Sequence, residues 1–230
     1  MDYDLAILSD LASYFDHTLL KPQATETDIK RICDEANQYN FYAVCVGPCF
    51  ARLVKKLLLN RKTKLCTVIG FPLGANVDEI KLLEARQALE DGADELDMVM
   101  NIGYFLSHHD DYVGQEIAMI HELCLERGAI LKVIIETALL TADQIERATK
   151  IVFNAGAEFI KTSTGFSQGG ATLEDVRILR RIANQYNRRV KAAGGIRDLG
   201  AAYRMIIEGA DRIGSSSSVQ IMDEAKIYGR

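Results

Sequence analysis

From one end of the chain to the other, short runs of β-branched and aliphatic residues alternate with stretches in which apolar positions recur every three or four residues. The first pattern suits strands and the second amphipathic helices, so the chain reads as repeated βα units around a parallel sheet. Eight strand candidates fall near residues 14–18, 41–46, 65–71, 94–100, 131–136, 158–163, 189–193 and 211–215. Eight units predict closure, and the expected architecture is a single (β/α)8 TIM barrel of the α/β class. An open doubly wound sheet would alternate in the same way, but no Gly-x-Gly-x-x-Gly follows the first strand candidate.

Local signals fix where the helices begin and end. Thr25-x-x-Asp28, Asn76-x-x-Glu79 and Thr172-x-x-Asp175 read as capping boxes at helix starts. Three helices close in nearly the same phrase, Asp91-Gly92-Ala93-Asp94, Ala155-Gly156-Ala157-Glu158 and Glu208-Gly209-Ala210-Asp211. In each, Gly can take the left-handed conformation that ends a helix, Ala can pack under the sheet, and the acid opens the next strand at the bottom rim of the barrel. Pro22, Pro48 and Pro72 sit just after strand candidates or at helix entrances, where a missing N–H costs little. No linker, low-complexity tract or charge block divides the sequence, so residues 1–230 are expected to form one domain.

Composition narrows the function classes. A net charge of −5 and the lack of any long Lys/Arg run argue against nucleic acid as a partner. The stretch Met1-Asp2-Tyr3-Asp4-Leu5 does not resemble an export signal, and nowhere do about 18 apolar residues run together, so neither export nor membrane insertion is expected. Cys33, Cys45, Cys49, Cys66 and Cys124 are odd in number and lack C-x-x-C spacing, which fits a reducing cytoplasm better than a disulfide framework or a zinc ribbon. Cys45 and Cys49, following the second strand, read as packed thiols. His17, His108, His109 and His121 show no metal-binding spacing, so no metal is expected.

In a barrel the chemistry comes from the C-terminal ends of strands and the loops beyond them. Four charges stand inside otherwise apolar strand candidates: Asp97, Lys132, Lys161 and Lys191. Any one of them could belong to a structural ion pair. Three lysines and an aspartate together are harder to explain by packing, because a buried charge must pair or shift its pKa. A lysine beside a second lysine in a partly desolvated site loses its proton more readily and becomes a nucleophile toward carbonyls. Lys132 and Glu136 read as lying on one face of the fifth strand, with Lys132 as an electrostatic support. Ser163-Thr164-Gly165, Gly194-Gly195-Ile196-Arg197 and Gly214-Ser215-Ser216-Ser217-Ser218 follow the sixth, seventh and eighth strand candidates. Backbone N–H groups in such turns bind anions, and barrels commonly hold phosphate after strands seven and eight. A nucleophilic amine beside a phosphate cradle suits a small phosphorylated carbonyl compound.

Several segments carry a specific resemblance: Asp16-His17-Thr18-Leu19-Leu20-Lys21-Pro22, Cys66-Thr67-Val68-Ile69-Gly70-Phe71-Pro72-Leu73-Gly74, Glu95-Leu96-Asp97-Met98-Val99-Met100-Asn101-Ile102-Gly103, Leu131-Lys132-Val133-Ile134-Ile135-Glu136-Thr137, Lys161-Thr162-Ser163-Thr164-Gly165-Phe166 and Lys191-Ala192-Ala193-Gly194-Gly195-Ile196-Arg197. From about residue 14 to residue 222 the sequence resembles the deoxyribose-phosphate aldolase family. That resemblance implies a class I aldolase that reversibly cleaves 2-deoxy-D-ribose 5-phosphate to D-glyceraldehyde 3-phosphate and acetaldehyde, in deoxyribose phosphate catabolism, without a cofactor. It implies that Lys161 forms the imine, that Lys191 lowers the proton affinity of Lys161 and aids proton transfer, and that Asp97 is the general acid and base, acting through water. Asp16, Thr18 and Lys132 would support them, with Asp16 holding Lys191. Thr164, Gly165, Gly194, Gly195, Gly214, Ser216 and Ser217 would bind the phosphorylated substrate. A homodimer or tetramer is the implied assembly. The chain departs from the family at Ser218, where many relatives have Gly, and the resemblance fades after Met222, so that Tyr228 reads as part of a frayed tail. The rival readings are a phosphosugar isomerase or metal-dependent class II aldolase on the same barrel, and a non-catalytic phosphate-binding barrel.

Overall fold

The structure is a computed structural model that describes residues 3–58 and 62–228. Met1 and Asp2, where the N-terminal stretch begins, lie outside the described residues. Eight parallel strands, β1 (Phe15–Leu19), β2 (Ala43–Val46), β3 (Lys64–Ile69), β4 (Glu95–Val99), β5 (Ile130–Ile134), β6 (Phe159–Lys161), β7 (Arg189–Ala193) and β8 (Arg212–Ser215), pair in sequence order and close, β8 returning to β1. All eight overlap their candidates, and the barrel is the expected TIM barrel. The helices are α1 (Leu5–Ser9), α2 (Glu26–Tyr39), α3 (Ala51–Leu57), α4 (Asp78–Glu90), α5 (Ile102–Leu106), α6 (Asp110–Arg127), α7 (Ala142–Asn154), α8 (Leu173–Tyr186), α9 (Leu199–Ile207) and α10 (Ser218–Tyr228). Among the described residues, no helix is long and apolar enough to cross a membrane.

Alternation along the strands divides the core in two. Outward residues such as Leu96, Met98, Leu131, Val133 and Ile160 join the helices in one large apolar cluster. Inside the barrel, Ala43, Cys45, Cys66 and Val68 make a small second cluster, and most of the remaining lining is charged. Packing alone would fill a barrel with branched aliphatics, so a charged lining marks a place where function has displaced packing.

The helix boundaries follow the local signals, with one correction. Thr25 and Asp28 form the reciprocal box, and Thr172 caps α8 by accepting the Asp175 N–H. Asn76 caps nothing: α4 starts two residues later behind Val77, and the Asp78 side chain takes the Glu79 N–H instead. Asparagine lost to an aspartate better placed in the first turn, where its charge meets the positive end of the helix dipole. Thr141 and Gln144 form a second box that the sequence reading passed over. The repeated helix ending holds at all three sites. Gly92, Gly156 and Gly209 have φ of +99°, +103° and +107°. The acid that follows turns back along the bottom rim: Asp94 accepts the Leu65 N–H at 2.9 Å, Glu158 the Leu131 N–H at 2.9 Å and Asp211 the Val190 N–H at 2.7 Å. Each of these amides belongs to the second residue of the preceding strand, a position no helix bond can serve.

The C-terminal segment also differs from expectation. Tyr228 is the last residue of α10, and its ring packs on Tyr3 with centroids 4.9 Å apart, so this end is helical and not frayed. At the other end of α10, Ser218 is buried and its hydroxyl donates to the Ser215 carbonyl at 3.0 Å, so a serine suits this turn.

Candidate active site

Asp97 occupies the centre of the barrel. One carboxylate oxygen accepts from Lys161 at 2.7 Å and Lys191 at 2.6 Å, and the other accepts from Lys132 at 2.9 Å. The Cys66 thiol lies 3.2 Å from Asp97 and 3.3 Å from the Lys132 ammonium. The Asp16 carboxylate accepts from Lys191 and, through its other oxygen, from Arg212 at 2.8 Å. Glu95, two residues before Asp97 on the same strand face, meets Lys132 at 2.6 Å and Arg212 at 3.5 Å. All of these side chains are buried.

Four cations thus face three carboxylates, all of them buried. Burial works against a charged Asp97, yet the ammonium groups of Lys132, Lys161 and Lys191 outweigh it and hold its carboxyl well below the usual carboxylate range. Asp16 is lowered for the same reason, burial being overcome by Lys191, Arg212 and Lys132. Burial likewise opposes the charged forms of Lys132 and Lys191, and their carboxylate partners more than offset it, so both are raised above the ordinary lysine value. Lys161 differs in its contacts: it meets one carboxylate, where Lys132 meets three and Lys191 two.

This cluster makes stability depend on pH in a defined direction. The folded-state values of Asp16 and Asp97 lie below their ordinary 3.8, so their stabilisation is fully present above that pH and is lost as pH falls toward the folded values. Lys132 and Lys191 lie above 10.5, so theirs is present below that pH and is lost as pH rises through the folded values. The urea midpoint should therefore fall steeply once pH drops below about 4. A midpoint unchanged down to about pH 2 would contradict this ionic arrangement.

Above the cluster opens a cavity of about 360 Å³. Lys161, 3 % exposed, forms part of its floor, while Asp97 and Lys191 lie beneath. Thr18, Thr164, Gly165, Gly194, Gly195, Gly214 and Ser216 line the walls, which brings together six of the seven residues assigned to phosphate and one of the supporting set. Ser217 is set apart: it does not line the cavity, and its N–H donates to the Ser215 hydroxyl at 3.0 Å. Thr18 and Thr164 have hydroxyls already engaged, the first donating to the Asp16 carbonyl and the second to Glu136 at 2.5 Å. Gly194 needs to be glycine, because its φ is +89° and a Cβ would meet Gly170 at 3.0 Å and Ser163 at 3.3 Å.

Several functional neighbours escaped the sequence reading. Glu136 lies beyond the end of β5 in the left-handed region, φ +53°, so it does not share a strand face with Lys132. Its carboxylate instead accepts both the N–H and the hydroxyl of Thr164, bracing the turn after β6. Arg212 and Glu95 could have been found by the same search for charges inside strands, and Lys21 and Arg197 add cations to the cavity wall. Cys45 lies within β2, inside the barrel beside Cys66, and Cys49 is exposed. Cys45, Cys66 and Asp97 bring possible metal-ligand atoms within 4.8 Å of one another, but the lysine ammonium groups already engage Asp97 and Cys66.

Known proteins supply an independent comparison. The profile of the DeoC/LacD family of aldolases matches residues 11–218. A deoxyribose-phosphate aldolase of Thermococcus gammatolerans is 52% identical over 219 residues, covering 94% of this chain and 97% of its own. That of Thermococcus kodakarensis is 51% identical over 218 residues, covering 94% and 97%. The solved tetrameric deoxyribose phosphate aldolase of Aeropyrum pernix superposes with a TM-score of 0.87 at 38% identity, covering 95% of this chain and 92% of that one. With the profile spanning most of the barrel and relatives this similar, this chain belongs to the DeoC/LacD family of aldolases.

Proposed function

We propose that this aldolase cleaves 2-deoxy-D-ribose 5-phosphate, reversibly, to D-glyceraldehyde 3-phosphate and acetaldehyde through a Schiff base on Lys161. The observation that carries the reading is the position of the Lys161 amine: of the three lysines that meet Asp97, it alone lines the cavity, and it has the fewest carboxylate partners. Because cations outnumber carboxylates, removing one proton from the cluster balances its charge, and an amine freed in this way can attack a carbonyl.

In this mechanism the Lys161 Nζ adds to the sugar's C1 aldehyde and water leaves to give the imine. The C2–C3 bond then breaks as the C3 hydroxyl gives up its proton, releasing glyceraldehyde 3-phosphate and leaving an enamine on the lysine. C2 takes a proton, and water hydrolyses the acetaldehyde imine to restore the amine. Asp97 receives and returns these protons through water, and Lys191, anchored by Asp16, keeps Asp97 ionised between steps. Lys132 neutralises the other side of Asp97. The turns at Gly194, Gly195 and Ser216, with Arg197 beside them, hold the phosphate.

Incubation with acetaldehyde and borohydride, followed by digestion and mass mapping, should place an ethyl group on the peptide that contains Lys161. Labelling elsewhere, or none, would refute the assignment. The phosphate site should make kcat/KM for the phosphorylated sugar exceed that for plain deoxyribose by on the order of 10²-fold. Equal values for both sugars would remove the anion role from these turns. The chain acts in this reading as one domain in the cytoplasm, which its buried free thiols suit, and as a homo-oligomer, dimer or tetramer, in keeping with the Aeropyrum pernix relative.

A further inference from the structure

Outside the barrel, two opposite charges are buried against each other, apart from the cluster around Asp97. Lys81 of α4 and Glu116 of α6 meet at 2.7 Å, and neither side chain is exposed. Burial presses both toward their neutral forms, lowering Lys81 and raising Glu116, and their mutual attraction does not offset it. A pair of this kind adds little stability that well-packed apolar side chains would not supply. Its contacts point to a different use.

The Lys81 ammonium donates to the Val99 carbonyl at 2.9 Å, and Glu116 accepts the Asn101 N–H at 3.2 Å. One ion pair thus grips the two peptide groups that flank Met100, at the C-terminal end of β4. The grip falls where the ladder to β3 has stopped, since the last pair there is Ile69 with Met98. Three residues along α4 from Lys81, Glu84 accepts the Gly70 N–H at 2.7 Å and fixes the start of the turn that leaves β3. That turn packs on the same spot: a Cβ on Gly70 would meet Lys81 Cε at 2.7 Å, and one on Gly74 would run into the Met100 carbonyl. Asp97 stands two residues before Val99 on β4, and its three ammonium partners lie at 2.6, 2.7 and 2.9 Å, so a small shift of the strand end would break their geometry. We propose that Lys81 and Glu116 are positioning residues for the aldol reaction, a clamp outside the barrel that sets Asp97 beneath the cavity by holding the end of its strand. The proposal rests on the reading of Asp97 as the group that moves protons. The clamp itself touches neither the cavity nor the lysines.

The test separates placement from stability. Lys81→Met alone would leave Glu116 buried and charged without its partner, so the decisive variant is Lys81→Met/Glu116→Leu, in which apolar side chains fill the space. Its urea midpoint should stay close to that of the wild type. Its kcat on 2-deoxy-D-ribose 5-phosphate should fall about 30-fold with KM changed by no more than about 3-fold. Exchange of acetaldehyde methyl hydrogens with deuterated water should slow by about the same 30-fold, while borohydride trapping on Lys161 stays within about 2-fold of wild type. In Lys81→Met/Glu116→Gln the amide oxygen can still accept the Asn101 N–H, and exchange should recover to within about 10-fold of wild type. Wild-type kcat and exchange in the Leu variant overturn the clamp, as does a loss of trapping equal to the loss of exchange, which would mark general collapse of the site. If the Leu variant does not fold, the Gln variant decides: wild-type exchange there overturns the clamp, and slowed exchange with intact trapping supports it. A wild type that fixes no acetaldehyde overturns the Schiff-base reading and the clamp with it, whereas a wild type that traps and exchanges confines any failure to Lys81 and Glu116.

Discussion

Replacing Lys161 with arginine is expected to leave the barrel folded and to stop the reaction, with kcat falling on the order of 10⁵-fold or more. The guanidinium can keep the charge and the contact to Asp97, so the buried cluster retains its balance. What it cannot do is lose its proton at any accessible pH, and without a lone pair no carbonyl is attacked. Circular dichroism should match the wild type, and borohydride should fix no acetaldehyde. Substantial cleavage by this variant would move the imine to Lys132 or Lys191. Both of those amines are buried and held by two or more carboxylates, so such a result would also overturn the argument from contacts.

Asp97→Asn should have the second largest effect, and it should act on two observables at once. The amide keeps the size of the carboxylate and one acceptor oxygen, but it brings an NH2 group toward the ammonium groups and takes from Lys161 the one carboxylate it meets, while Lys132 and Lys191 keep Glu95 and Asp16. Four cations would then face two carboxylates, and breaking buried ion pairs in this way costs about 3–5 kcal/mol. The unfolding midpoint in urea should drop accordingly. The imine with acetaldehyde should still form, because removing the anion makes charge on Lys161 less favourable, but exchange of the methyl hydrogens with solvent should slow by roughly 10²–10⁴-fold. Methyl exchange at the wild-type rate, followed by NMR in deuterated water, would take proton transfer away from Asp97.

The two ends of the site were unequally legible. Lys132, Lys161, Lys191 and Asp97 could be read because each breaks an apolar strand, and the price of burying a charge makes such a break informative. The glycine turns could be read because each follows a strand candidate, and the eight strands because each is a short apolar run between helical repeats. Pairing was not legible in any local pattern, and the one pair named in advance, Asp16 with Lys191, came only from the family resemblance. Asp16 and Lys191 are 175 residues apart, and only closure of the sheet brings them together. Glu136 was misread because alternation was extended two residues beyond the end of β5, into a left-handed turn that no local pattern announces. The start of α4 failed for a different reason: two acids and an asparagine compete there for the same amide groups, and propensity ranks them too closely to choose.

The three acids on the bottom rim have a consequence for how this barrel can change. Each fastens a strand to the one before it, β3 to β4, β5 to β6 and β7 to β8, through a charge-assisted bond worth about 1.5–3 kcal/mol. Register in these pairs is thereby set at the end of the barrel remote from Lys161. The loops at the opposite end are released from that duty, so a turn there can lengthen, or exchange one ligand-binding side chain for another, without the strands slipping past each other. Substrate range and fold are in this sense inherited separately: a library that varies Leu20, Lys21, Phe166 and Arg197 draws on positions to which the strand pairing owes little.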